Sequence, residues 1–118
     1  MKTLKKKRDF QRVFDGGRFI TKRESPIKVY ALKEGTDLMV GIMIRKTVIN
    51  AVGRNYTKRQ IKAIFLDLEK EGFSGQYILM PTKGFVKSEF KEKKDRLRRI
   101  LQNFHNKQNR NPNHRKNL

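Results

Sequence analysis

The sequence contains no cysteine and no tryptophan, and only three prolines. Without thiols there are no disulfides and no thiolate metal sites, so burial and hydrogen bonding must hold the fold. That usage suits a reducing compartment. Acids are scarce as well: eleven Asp and Glu face thirty Lys and Arg, a formal charge of +19 over 118 residues. Long apolar runs are missing. The longest, LMVGIMI at 38–44, is far too short to span a bilayer. The basic N-terminus, MKTLKKKRDF, is not followed by an apolar stretch of signal-peptide length. These absences describe a soluble, cytoplasmic protein with no membrane partner. No Walker-type loop, carboxylate pair or Cys/His cluster stands at ligand spacing, so no catalytic residue, metal ligand or small-molecule substrate is assigned to this chain. His105 and His114 have no fixed partner.

What is present is positive charge. A pI near 10.7 implies strong self-repulsion in the compact state, which a polyanion relieves. Nucleic acid is the leading partner class. An anionic membrane surface is the alternative, but it needs apolar residues to spare, and the apolar faces here are all needed for a core.

The length fits one domain. Phe10, Val13 and Phe14 lie on one face of a helix expected at 8–15, ended by Gly16-Gly17. A short extended piece is expected at 18–21. Pro26 opens a strand, IKVYALK, with Ile27, Val29 and Ala31 on one side and Lys28, Tyr30 and Leu32 on the other. After a hairpin turn at Glu34–Asp37, Leu38–Ile44 is apolar on both faces and reads as a central strand covered twice. A second helix is expected from an Asn50 cap to about Glu71, with Gly72 past its end. A short strand at 76–80 stops at Pro81. A last helix starts at Ser88 and buries Phe90, Leu97, Ile100, Leu101 and Phe104. The order is αβββαβα, or αββαβα without the piece at 18–21: an α+β fold, a two-layer domain with a four-stranded sheet packed by helices. Residues 1–104 form the domain. Residues 105–118, with one apolar residue in fourteen, form a basic flexible tail.

The segment NAVGRNYTKRQIKAIF at 50–65 is the most informative. Ile61, Ile64, Phe65 and Leu68 share one helical face, while Arg54, Lys58 and Lys62 run down the next stripe at i, i+4 and i+8. Asn55 and Arg59 lie just beyond. Like charges at that spacing destabilise an isolated helix by roughly 0.2–0.5 kcal/mol per pair. Asp67, Glu69 and Glu71 crowd the C-terminal end, where the helix dipole disfavours acids. From Arg45 to Lys62 there are six cations and no acid. A solvated lysine-rich face is the plain reading. Phosphate is the more specific one, because Arg supplies a planar fork and Lys a point charge for its oxygens.

NAV-x-RN-xx-KR, Asn50 to Arg59, resembles the signature helix of the bacterial ribonuclease P protein family. LKKKRDFQRVF at 4–14 resembles that family's opening helix with its DF-xx-VF pattern, and VGIMIRKTVINAV at 40–52 resembles the strand leading into the basic helix. The blocks keep the family's order over roughly the first 105 residues. Departures are Tyr56 where the family has Arg, Arg45 and Thr47 around Lys46, Ile49 at a common glycine, and Lys62 where Arg is common.

The resemblance implies a ribosomal protein S5 domain 2-like fold and a subunit of an endoribonuclease that removes the 5′ leader from precursor tRNA. Its catalyst is ribonuclease P RNA with Mg²⁺, held mainly by that RNA. By matched position, Arg45, Lys46, Arg54, Asn55, Lys58, Arg59 and Lys62 face the RNA subunit, while Phe10, Phe14, Tyr30 and Lys83 face the leader of precursor tRNA. Aromatic faces suit unpaired bases of any sequence, although aromatics at i and i+4 are also ordinary core residues. A non-catalytic general RNA-binding or ribosome-associated protein is the rival class.

Overall fold

Helix α1 spans Lys7–Gly16 because three apolar residues fall on one of its faces. Val13 is fully buried, and Phe10 and Phe14 flank it half-buried. The Asp9 carboxylate accepts from the Lys6 amide, and the Gly17 amide closes the last turn onto the Val13 carbonyl at 2.7 Å. The computed structural model describes residues 1–109.

The sheet has five strands: β1 (Lys2–Thr3), β2 (Arg18–Phe19), β3 (Ile27–Leu32), β4 (Leu38–Ile42) and β5 (Gly75–Pro81). Their order is β1-β4-β5-β3-β2, so β5 lies between β3 and β4 and the turn at 34–37 does not close the expected hairpin: each of the two strands pairs with β5 instead. Strands β1, β4 and β5 run parallel, and β3 is antiparallel to β5 and β2. The α+β class therefore holds, with one strand more than the four expected. The extra strand, β1, has two residues and no alternation to betray it. The central position belongs to β5, whose residues from Gly75 to Leu79 are all buried; β4 lies one place out. Strand β4 also stops at Ile42 rather than Ile44. Pro81 stays in the ladder opposite Ile27, as its last residue.

Between β4 and β5 runs α2 (Ala51–Lys70). Asn50 caps it as expected, its side chain accepting from the Gly53 amide at 2.8 Å. Gly72, at φ 95°, lets the chain leave. A short helix, α3 (Lys83–Lys87), is not visible in the periodicity; it is one turn long and buries only Phe85. Its presence reassigns Ser88. That hydroxyl donates to the Phe85 carbonyl at 2.6 Å and so closes α3 instead of opening the next helix. Lys93, almost fully buried, donates to the Val86 and Ser88 carbonyls at 3.0 and 2.7 Å and fixes the same corner. Burial pulls its ammonium below the usual lysine range.

Helix α4 spans Phe90–Asn109. The expected domain end at 104 therefore falls inside a helix, and of the expected tail only 110–118 lie outside the described residues. Phe90 is 41% exposed and does not join the core.

Helices α2 and α4 pack on one face of the sheet. Ile61, Ile64, Phe65 and Leu68 meet Leu97, Leu101 and Phe104 there, over Ile27, Val29, Val40, Tyr77 and Leu79. Helix α1 covers the other face, with Leu4, Val13 and Ile78 at its centre. The acids at the C-terminal end of α2 now have a role. Asp67 accepts from Lys94 at 2.8 Å, Glu71 from Arg98 at 2.6 Å, and Glu69 pairs with the Met1 amino group. They dock α4 and the N-terminus onto α2, which compensates their unfavourable place in the helix dipole.

The hydrogen bond from Lys94 holds the Asp67 carboxyl below the usual range, and that from Arg98 does the same for Glu71. Depressed carboxyl pKa values stabilise the fold above the unfolded values of 3.8 and 4.5, and that contribution is lost as pH falls through the lower folded values. The urea midpoint of wild-type protein should therefore drop on acidification more than that of the Lys94→Met/Arg98→Met variant. Parallel drops would remove these pairs from the acid response.

Candidate nucleic-acid interface

The basic ridge begins in the loop after β4. The Met43 amide bonds the Leu79 carbonyl, and the Val48 amide turns back onto the Arg45 carbonyl at 3.0 Å, leaving Arg45 and Lys46 exposed. The loop then enters α2 with Ile49 folded over Gly53. A Cβ at Gly53 would stand 2.3 Å from the Ile49 Cδ1 atom, so glycine is what admits that closure. Arg54 serves the same junction. Its Nη1 donates to the Ile49 carbonyl at 2.8 Å, and the side chain is half-buried. It is thus partly a brace that ties the loop to the helix.

Asn55, Arg59 and Lys62 are exposed and Lys58 is half-buried, all on the flank beside the buried face of α2. Among the described residues, none of the six cations from Arg45 to Lys62 pairs with a carboxylate. The acids of α2 are turned to α4 and the N-terminus instead, so the two ends of one helix are electrostatically separated. Tyr56 is 56% exposed: the position that holds Arg in the family pattern presents an aromatic ring here.

A second surface forms where α1 crosses the sheet. Phe10, Phe14 and Tyr30 come together in the cluster around Val13 and Ile78. Phe10 packs closely on β4, where a Cβ at Gly41 would approach its ring to 2.6 Å; its contacts are those of packing. Phe14 and Tyr30 meet edge to face at 5.0 Å. Phe19 adds a third ring, 4.6 Å from Tyr30 and 56% exposed. Sequence reading missed Phe19. Its signal is the β2–β3 register, which sets Phe19 opposite Tyr30 and cannot be known before the strands are paired. Lys83 stands apart from this cluster, exposed at the start of α3 beyond the end of β5.

Among the described residues, no three His, Asp or Glu side chains come together in a way that could hold a metal ion. The described residues therefore offer no carboxylate cluster that fits Mg²⁺. No described helix is long and apolar enough to cross a membrane.

The sequence pattern of the Ribonuclease P family matches residues 1–105. The ribonuclease P protein component of Streptococcus pyogenes serotype M49 is 31% identical over 99 residues, covering 83% of this chain and 82% of that protein. The ribonuclease P protein of Staphylococcus aureus superposes with a TM-score of 0.71 at 25% identity, over 85% of this chain and 92% of that one. The protein from Thermotoga maritima has the same fold, with a TM-score of 0.68 at 23% identity over 84% and 94% of the two chains. The chain belongs to the ribonuclease P family: it is a protein subunit of a tRNA-processing endoribonuclease whose catalysis resides in RNA.

Proposed function

We propose that this chain grips ribonuclease P RNA with the ridge from Arg45 to Lys62 and receives the 5′ leader of precursor tRNA on its aromatic cluster. The observation that carries the reading is that, among the described residues, six clustered cations have no carboxylate partner beside a helix whose acids are engaged elsewhere. Arg45, Lys46, Lys58, Arg59 and Lys62 supply charge to RNA phosphates, Asn55 adds a neutral donor and acceptor, and Arg54 holds the loop in register while offering its remaining donors. Phe14 and Tyr30, joined by Phe19, offer faces to unpaired bases. Phe10 supports them from below, and Lys83 reaches a phosphate from the far end of β5. Mg²⁺ belongs to RNA phosphates in this reading. The setting is the cytoplasm.

The leader assignment is tested by Phe14→Ala in the holoenzyme. Stacking is worth about 1–3 kcal/mol per base, so affinity for leader-bearing precursor should fall roughly fivefold to a hundredfold, with mature tRNA almost unaffected. Equal losses for both would return Phe14 to a packing role.

A further inference from the structure

A cleft of about 900 Å³ lies across the β2 edge from the aromatic cluster, between the loop after β2 and α4. Arg18, Lys22, Arg96, Arg99 and Lys107 line it, against the single acid Glu24. None of the five cations is in an ion pair among the described residues. The loop wall is ordered by its own bonds: the Thr21 hydroxyl accepts from the Val29 amide at 3.1 Å, the Ser25 hydroxyl donates to the Ile27 carbonyl at 2.8 Å, and Lys28 donates to the Lys22 and Arg23 carbonyls. The Arg18 guanidinium lies over the Phe104 ring, 5.6 Å from its centre, which holds that cation at the mouth. Phe19 belongs to both surfaces. It touches Tyr30 on the α1 side and lines this cleft on the other.

We infer that the cleft is a second binding site for single-stranded RNA, taking the upstream part of a long leader after it passes Phe14, Tyr30 and Phe19. The inference rests on the leader assignment above and extends it. Charge complementarity names a polyanion. The exposed Phe19 ring at the rim names an unpaired strand, because a base face must be free to stack on it. Continuity through Phe19 names the leader as the source. Leader nucleotides within the aromatic cluster then contribute stacking, and those beyond it contribute phosphate contacts without sequence preference.

The test uses the reconstituted holoenzyme and two precursor tRNAs, one with a leader ending in the aromatic cluster and one with a long unstructured leader. Affinity is measured against salt for wild type, for Arg96→Ala/Arg99→Ala/Lys107→Ala, and for a control of equal charge change, Lys70→Ala/Lys87→Ala/Lys91→Ala. Each single-strand phosphate neutralised adds about 0.7 to the salt slope. The cleft variant should lower the long-leader slope by about 2 and leave the short-leader slope unchanged, and the control should move neither. Lys22→Ala, on the opposite wall, should act in the same direction and guards against a folding defect in α4. A cleft variant indistinguishable from wild type, or one that weakens short and long leaders equally, overturns the site. Phe14→Ala separates the two readings. If it weakens short-leader binding while the cleft variants do nothing, only the cleft is wrong; if it does nothing, the aromatic assignment fails first.

Discussion

Replacing Lys58, Arg59 and Lys62 together by alanine should lower affinity for ribonuclease P RNA on the order of a hundredfold, at about 1 kcal/mol per solvent-exposed ionic contact. The salt slope should fall by about 2–3, because each phosphate neutralised on a duplex contributes about 0.9. The fold should survive. None of the three side chains is buried or paired with an acid, and removing like charges spaced along one flank relieves repulsion within α2. Arg54 is left in place deliberately, since its bond to the Ile49 carbonyl would confuse loss of contact with loosening of the loop. A titration of labelled RNA at several salt concentrations, beside a thermal melt, separates the effects. An unchanged slope would mean that the ridge does not face phosphate.

Gly17→Ala should destabilise the protein by about 1–3 kcal/mol, a large share of the roughly 5–15 kcal/mol typical of a domain. The reason is steric. A Cβ there would stand 2.4 Å from the Ala31 carbonyl oxygen and 2.6 Å from the Val13 carbonyl oxygen. Both neighbours are backbone, one in β3 and one in α1, and neither can swing aside as a side chain tip does. The chain passes so close because α1 must turn directly into β2 against β3, which is also what brings Phe14 and Phe19 to Tyr30. Gly16→Ala is the matched control. Its Cβ would meet only the Leu32 methyl groups, at 3.3 and 3.8 Å, and a helix-terminal alanine is otherwise favoured over glycine. Urea denaturation of the two variants should therefore differ in midpoint, with Gly17→Ala far lower. Similar midpoints would mean that the α1–β2 corner relaxes at little cost.

The sequence makes the second helix readable almost to the residue, because cap, apolar spacing and terminal glycine agree at Asn50, Ile61 to Leu68 and Gly72. The two faces of β3 are equally plain from alternation alone. What escaped depends on partners distant in the chain. Two residues of β1 gain meaning only from β4. Ser88 caps the wrong helix in a linear reading because α3 is too short to show a period. Lys93 sits in a run of charged residues and gives no hint that it is buried under two carbonyls. The ridge was legible because absence of acid is a local property. The reason for its neighbouring acids was not, since Lys94 and Arg98 lie 27 positions further on. The aromatic cluster was two-thirds legible: Phe14 and Tyr30 stood out, and Phe19 needed the register.

The most direct measurement is the rate of leader removal by a bacterial ribonuclease P RNA at low Mg²⁺, with and without this protein, on precursor tRNA carrying a full or a truncated leader. Added protein should accelerate cleavage, truncating the leader should remove much of the gain, and the Lys58/Arg59/Lys62 variant should lose it on both substrates. Cleavage that is indifferent to the protein, or accelerated equally by the variant, would mean that the basic ridge does not hold the RNA subunit.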